Sequence, residues 1–399
     1  MTRPLAIITG DWHMLSHVWK SRPTLSGDAE CALRQVTDLA RATWLPIIAA
    51  GDLFDSKRPD ASSLLMTHSL LRNTEGYYIQ GNHERQTPPW MRLVAPKWIH
   101  LEQQSVSLSI KSRIEPEGMK CTVPPLFETD RQWTVHGIDY VGTREQLQEQ
   151  LDSLKIERTD EDAHLLILHQ SASHTMPMDV NQLLDGMIPD AIDMAVIGHC
   201  HIASVFEIRT QGGRLIPAIS PGGFHLLSIL ESPKKQMDIL YADGSVYTLP
   251  LTTRRVVSLN LRDCTDSETR EKTSQLLETL RKRGKKRPAE IAKPIVYARM
   301  NETTSSDAER ILKTELGDSV HLFIKRELSG EEGDDAAVRL DDIDITRHSE
   351  SGFEYIRPVF HKFEEDADVR NMVEQLLDTE PAPEVYQALK SKFLETLSC

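Results

Sequence analysis

Two histidines one residue apart, His199 and His201, stand in VIGHCHIASVF directly behind the apolar run AIDMAVI. In extended backbone the side chains at i and i+2 share a face, so both imidazoles reach one spot and offer it two nitrogen ligands. The alternative is a hydrogen-bonded histidine pair in a loop. Asp11 and His13 repeat the spacing as D-x-H behind LAIIT; Asp52 follows LPIIAA, Asn82 and His83 follow GYYIQ, and His169 ends HLLIL. Asp11, His13, Asp52, Asn82, His169, His199 and His201 are thus seven candidate ligands of mixed oxygen and nitrogen type, delivered by five strand ends. Carboxylate, amide and imidazole without thiolate suit Mn²⁺, Fe²⁺ or Zn²⁺, and so large a set holds two ions if one carboxylate bridges. Two ions about 3.5–4 Å apart bind a phosphate oxygen and an attacking hydroxide together, which is the chemistry of phosphoester hydrolysis.

Elements must bring these residues to one place. Between the first three apolar runs lie SGDAECALRQVTDLARATW, with Ser26 or Asp28 as its cap, and PDASSLLMTHSLLRN, entered at Asp60; both have helical patterning. Strand and helix alternate, so the reading is a sheet with a parallel core whose strand C-termini gather on one edge. At 105–140 and 203–260 alternating runs and turns predict antiparallel strands that extend or face that sheet. From residue 254, RRVVSLNLRD, DSETREKTSQLLETLRKR, PIVYARM, SSDAERILKTEL and DSVHLFIKREL predict strand, helix, strand, helix, strand. Residues 329–365 are polar and acidic and read as a linker. The segment 366–399 reads as two amphipathic helices around the turn TEPAPE.

The chain has 399 residues, 39% hydrophobic and 27% charged, enough for two or three domains with a real core. It shows no run of membrane-spanning length, and MTRPLAIITGDWH passes straight into a strand pattern without a signal peptide, so the expected location is the cytoplasm of a bacterial cell, or of an infected host cell if the source is viral. Five scattered cysteines without C-x-x-C indicate neither a disulfide framework nor a zinc finger. A net charge of −14 argues against coating nucleic acid through bulk positive charge, but bound cations and local basic patches leave a nuclease open.

The ordered set D-x-H, GD, GNHE, H and GHxH resembles the calcineurin-like metallophosphoesterase superfamily. GDLFDSKRP, CTVPPLF, LHQS and SPGGF resemble one branch, the SbcD and meiotic-recombination-eleven nucleases of double-strand-break repair. The resemblance implies an α/β fold: a two-layered metallophosphoesterase β-sandwich flanked by helices (1–253), a small α+β capping domain that contacts DNA (254–328), a linker (329–365) and a C-terminal helix pair (366–399). It implies two divalent ions, Mn²⁺ first, with Mg²⁺, Fe²⁺ or Zn²⁺ as options. Asp11, His13 and His201 would hold the first ion, Asn82, His169 and His199 the second, and Asp52 would bridge. His83 would act on the scissile phosphate as general acid or charge stabiliser, with Asp55 as the carboxylate that raises its proton affinity. Glu84 stands where the branch usually has Asp, and an orienting role is expected; His225 is outside the pattern and reads as structural.

RKRGKKR at 281–287 is either a solvated loop or a DNA contact, through Arg281, Lys282, Arg283, Lys285, Lys286 and Arg287. Lys20, Arg22, Arg58 and Arg85 lie beside the motif loops and could meet backbone phosphates. The tail places Val369, Met372, Val373, Leu376 and Leu377, then Val385, Tyr386, Leu389, Phe393 and Leu397, at helical spacing. These either fold back on the core or dock on a partner, which the resemblance makes the coiled-coil base of an SMC-like ATPase of SbcC type. Homodimerisation through the helix carrying Leu64, Leu65, Met66 and Leu70 is a family expectation, although core packing explains those residues more simply. The expected function is a metal-dependent DNA exonuclease or endonuclease acting with that ATPase in DNA end processing, repair or recombination. A phosphatase or cyclic-nucleotide phosphodiesterase of the same superfamily, or a non-catalytic scaffold, are the alternatives.

Overall fold

A computed structural model describes residues 2–14, 27–102, 104–109, 119–159, 161–176, 183–227, 231–232, 234–282 and 287–327. Lys20, Arg22, Arg283, Lys285, Lys286, the 329–365 linker and the whole tail, including every residue named there from Val369 to Leu397, lie outside the described residues.

In chain order the elements are β1 (Pro4–Thr9), α1 (Asp28–Thr43), β2 (Ile47–Ala50), α2 (Ala61–Leu71), β3 (Gly76–Ile79), α3 (Met91–Val94), β4 (Ile99–His100), β5 (Ser105–Ser107), β6 (Lys120–Val123), β7 (Gln132–Ile138) and α4 (Arg144–Ser153). There follow β8 (Asp162–His169), β9 (Met194–Gly198), β10 (Ser204–Arg209), β11 (Leu215–Ser220), β12 (Gln236–Tyr241), β13 (Val246–Pro250), β14 (Val256–Asn260), α5 (Asp266–Lys282), β15 (Ile295–Asn301), α6 (Ala308–Leu316) and β16 (His321–Glu327).

The five ligand-bearing strands do not share one sheet. A seven-stranded sheet runs β4-β3-β2-β1-β12-β13-β6, and a six-stranded sheet runs β10-β11-β9-β8-β7-β5. β1, β2 and β3 are parallel neighbours in the first; β7, β8 and β9 are parallel neighbours in the second. β12 decides the split, because it pairs antiparallel with β1, Ile8 opposite Asp238, and occupies the edge that β8 or β9 would need. The sheets face each other across a core of Ile8, Ile48, Ile79, Val135, Leu165, Ile167 and Val196, which explains why the central strands are apolar on both faces. The outer face of the first sheet packs on α1 and α2 through Leu33, Val36, Ile47 and Leu70, and that of the second on α4 through Leu147, Leu151 and Leu166.

α1 has neither expected cap. Gly27, at φ 88°, is the N-cap residue and makes no side-chain cap bond; Asp28 is the first helical residue. Its carboxylate is taken by Arg254, whose Nε and Nη2 donate to it at 3.1 and 2.7 Å, while Nη2 and Nη1 also donate to the carbonyls of Glu290 and Lys293, both at 2.8 Å. α2 starts as read, with Asp60 accepting from the Ser63 amide. Leu70 is core, Leu64 and Met66 are half-buried, and Leu65 is 69% exposed, so core packing does not explain it.

The described residues of 1–300 and 304–325 group as one compact unit, and the described residues 301–303 and 326–327 fall outside it. β14, α5, β15, α6 and β16 follow the predicted order and build a three-stranded sheet over Leu261, Leu276, Val296, Ala298 and Leu312. α5 extends through Lys282, so Arg281 and Lys282 belong to its last turn and not to a loop. Arg287 donates through Nε to the Thr253 carbonyl at 3.0 Å.

Two buried ions allow stability tests. Arg254→Ala leaves Asp28 buried without its counter-ion and should cost about 3–5 kcal/mol in urea denaturation, whereas the double change Arg254→Met with Asp28→Leu should recover most of it. Asp238 accepts from Thr248 Oγ1 at 2.5 Å through Oδ1, while Oδ2 has no partner. Burial pushes its carboxyl from 3.8 up to about 6. A raised folded-state value means that its stability contribution is complete below pH 3.8 and disappears as pH rises through 6. Asp238→Asn should therefore gain stability relative to the parent, by up to about 3 kcal/mol, as pH goes from 4 to 7; a pH-independent difference would contradict this.

Candidate metal centre

All seven predicted ligands meet at the seam where the C-terminal ends of the two sheets come together. Asp11 and His13 follow β1, Asp52 follows β2, Asn82 follows β3, His169 ends β8, and His199 and His201 follow β9. The loops after β1 and β2 run side by side: Asp11 N donates to Gly51 O at 3.1 Å, His13 N to Asp52 O at 2.8 Å and Met14 N to Leu53 O at 2.9 Å. His225, read as structural, pins the first loop by donating through Nε2 to Trp12 O at 2.8 Å.

This positioning is strained. Among the described residues six non-glycine residues have positive φ, and four of them are candidate ligands: Asp11 at 48°, His13 at 42°, Asp52 at 49° and His199 at 86°. Left-handed backbone costs an L-residue about 1–2 kcal/mol, and it persists where surrounding contacts over-determine it. The glycines of GD and GN have steric causes. Gly51 has φ +84° and a Cβ there would lie 2.4 Å from His169 Nδ1; at Gly81 it would lie 2.0 Å from Asp52 Oδ1.

Each carboxylate uses one oxygen to fasten a neighbouring motif and turns the other inward. Asp11 Oδ1 accepts from His199 N at 2.9 Å, and its buried Oδ2 has no partner. Asp52 Oδ1 accepts from His83 N at 3.0 Å, and its Oδ2 lies 3.2 Å from His169 Nε2 and 3.6 Å from His13 Nε2. Asp11, His13 and His201 form one cluster, with His13 Nε2 and His201 Nε2 3.0 Å apart. Asp52, His169 and His199 form another, and Asn82 Oδ1 joins it at 3.1 Å from His169 Nε2 and 3.1 Å from His199 Nδ1. Asp52 stands between the two.

The tautomers show what the donor set fits. His169 Nδ1 faces the Ala50 carbonyl at 2.8 Å and must donate to it, so in the neutral ring the Nε2 lone pair points at the Asp52 and Asn82 oxygens. Lone pairs facing lone pairs among buried side chains call for a cation. Without a metal that cation is a proton: burial opposes it, but Asp52 and then Asp11 raise His169 to about 9. Burial pushes Asp11 up, and pushes His13 down to about 4 and His199 to about 3, leaving these rings neutral donors. The residues therefore fit two divalent ions, with Asp52 able to serve both.

Asp55 faces two histidine rings. Its Oδ1 is 3.2 Å from His13 Nδ1 and 3.7 Å from His83 Nδ1, so it orients a ligand ring more directly than it serves His83. Burial works against its ionisation, and the His13 bond holds it below the usual carboxylate range. His83 packs edge-on against His13 at 4.7 Å, donates through Nδ1 to the Asp55 carbonyl at 3.3 Å, and is 18% exposed. Glu84 is buried and clamps the loops after β2 and β3, accepting from Phe54 N at 2.5 Å and Gly81 N at 3.4 Å; burial raises it to about 8. Arg58 and Arg85 are exposed beside these loops.

Sequence reasoning missed Glu231. Its Oε1 lies 3.6 Å from His201 Nδ1 and its Oε2 accepts from the buried Lys235 ammonium at 2.7 Å. Burial would raise it, but His201 and Lys235 hold it at about 2. Only its i, i+4 spacing to Lys235 marks it in the sequence, and that spacing reads as an ordinary surface pair. Tyr140, whose ring centroid lies 6.0 Å from His199 and 6.3 Å from His169, carries no sequence signal.

The sequence matches the calcineurin-like phosphoesterase family over residues 6–203, a span that holds all seven ligands and His83. The match supports placing this part of the chain in the calcineurin-like metallophosphoesterase superfamily. The fold is the mixed α/β architecture of that family, which hydrolyses phosphoesters with divalent metals. No curated protein matches the chain. No helix of the described residues is long and apolar enough to cross a membrane.

Because the metal-free centre holds a proton at His169 up to about pH 9, loading it with Mn²⁺ near neutral pH must displace that proton. Affinity should rise with pH, by up to about tenfold per unit between pH 7 and 8.5, and calorimetric heats should vary with the buffer's ionisation enthalpy. A pH-independent affinity would contradict the protonated His169.

Proposed function

We propose that the chain is a two-metal DNA nuclease, exonuclease or endonuclease, that hydrolyses phosphodiester bonds as the nuclease subunit of an SMC-like ATPase complex in DNA end processing and repair or recombination. The observation that carries the hydrolytic part is the pair of ligand clusters meeting at Asp52, with a partly exposed histidine beside them. Bound divalent ions, Mn²⁺ first by donor chemistry, supply Lewis-acid charge to the phosphate and lower the pKa of water.

The chain's own residues do the rest. Asp11, His13 and His201 would hold one ion, Asn82, His169 and His199 the other, and Asp52 both. Asp55 and Glu231 keep the His13 and His201 rings turned inward. His83 uses Nδ1 for the Asp55 carbonyl, leaving Nε2 as the ring atom to face a leaving oxygen or the phosphate.

DNA as substrate draws support from the branch motifs GDLFDSKRP, CTVPPLF and SPGGF, from the β-α-β-α-β unit beyond the matched span, and from exposed Arg58 and Arg85 flanking the His83 loop. Arg281 and Lys282 at the end of α5, and Arg287, are further candidate phosphate contacts. Homodimerisation draws support from Leu65 and Leu93, 69% and 66% exposed on α2 and α3. The ATPase partner and the cytoplasmic location rest on the sequence resemblance and patterning alone.

The full chain with Mn²⁺ should cut linear DNA. His83→Gln should lower that rate by about 10²–10⁴-fold while Mn²⁺ titrates into it as into the parent. Good turnover of a p-nitrophenyl phosphodiester with DNA left intact would replace this proposal by a small-ester hydrolase.

A further inference from the structure

Behind the second ligand cluster lies a buried polar strut that joins the two sheets. Asp139 immediately follows β7 in the six-stranded sheet, and Gln80 immediately follows β3 in the seven-stranded one. Asp139 Oδ1 accepts from Gln80 N at 2.8 Å and Oδ2 from Gln80 Nε2 at 3.2 Å. His100 Nε2, from β4, lies 2.9 Å from both oxygens. The His100 ring stacks on Tyr78 at 4.8 Å and 11°. All three members of the strut are at least nine-tenths buried: Gln80 is 5% exposed, Asp139 6% and His100 9%.

The Gln80 carboxamide also reaches across the loop that carries Asn82 and His83. Its Oε1 accepts from Gln86 N at 3.0 Å, so one side chain ties both ends of residues 80–86. On the other side, Tyr140 N donates to Gln80 O at 2.9 Å, and the Tyr140 ring is the one beside His169 and His199. His100, Glu102 and Asp139 also cluster as a cation site would, but both Asp139 oxygens already accept hydrogen bonds from Gln80 and His100.

We infer that the His100–Asp139–Gln80 strut is the positioning device for the second ion: it fixes the Asn82 loop of one sheet against His169 and His199 of the other. The inference rests on the two-ion reading above. A buried carboxylate gripped by three N–H donors from two strands has little freedom to turn, and the 80–86 loop, whose far end is tied back to Gln80, inherits that geometry. The first cluster, Asp11, His13 and His201, hangs from β1 and β9 and makes no bond to the strut, so its ion should be indifferent to it.

The test is calorimetric titration of the full chain with Mn²⁺ alone. The parent should take two ions. Gln80→Met and His100→Ala should weaken one site by about 10–100-fold and leave the other within about threefold, as outer-shell partners of metal ligands do. Their isotherms should match that of Asn82→Ala and not that of His13→Ala, and His100→Gln, which keeps a donor for Asp139, should restore the weakened site. If Gln80→Met does not fold, Asp139→Asn replaces it, keeping an acceptor for Gln80 N while removing the charge. Equal weakening of both sites, or no change in either, overturns the inference. A parent that takes fewer than two ions overturns the two-ion reading itself, and the inference with it.

Discussion

Around Asp52, electron-pair donors from carboxylate, carboxamide and imidazole atoms converge at one buried point. Asp52 Oδ2 is 3.2 Å from His169 Nε2, Asn82 Oδ1 is 3.1 Å from two histidine nitrogens, and His13 Nε2 is 3.0 Å from His201 Nε2. Such an arrangement holds together only where a proton or a metal cation lies between each facing pair. The strained backbone, the close glycine contacts and the outer ring of Asp55, Glu231 and the Ala50 carbonyl all serve to hold that arrangement together.

The sandwich makes the convergence possible. A single sheet would spread five strand ends along one line, about 4.8 Å apart, so its outer strands could not share a small ion. Two facing sheets bring β1, β2 and β3 against β8 and β9, and the ligands reach inward from both sides. That geometry puts a demand on the seam: the separation of the sheets must be held to a few tenths of an ångström. Backbone pairing between the loops after β1 and β2, the Glu84 clamp between those after β2 and β3, and the bond from Asp11 to His199 N meet it locally.

Much of this was legible in the sequence. The ligands were visible because each follows an apolar run, and an apolar run followed by Asp, Asn or His marks a buried strand delivering a polar side chain to an edge. The small β-α-β-α-β unit was visible for a related reason, since its periodicity switches from two to 3.6 and back within short segments. Other relations were not visible. Asp55 sits nearer His13 than His83 because the loop after β2 lies alongside the loop after β1, a pairing between residues some forty positions apart. Glu231 and Tyr140 have no motif, and the Arg254–Asp28 pair spans most of the phosphoesterase domain.

The sequence by itself determined which residues can bind metal, the order in which strands present them, and the family over residues 6–203, because these depend on side-chain chemistry and on the periodicity of a local backbone. Only the tertiary structure decided how those strands divide between two sheets, which carboxylate faces which ring, and which buried groups brace the loops. Those outcomes depend on β12 taking the free edge of β1 and on distances across the seam, and neither is written in any short stretch of chain.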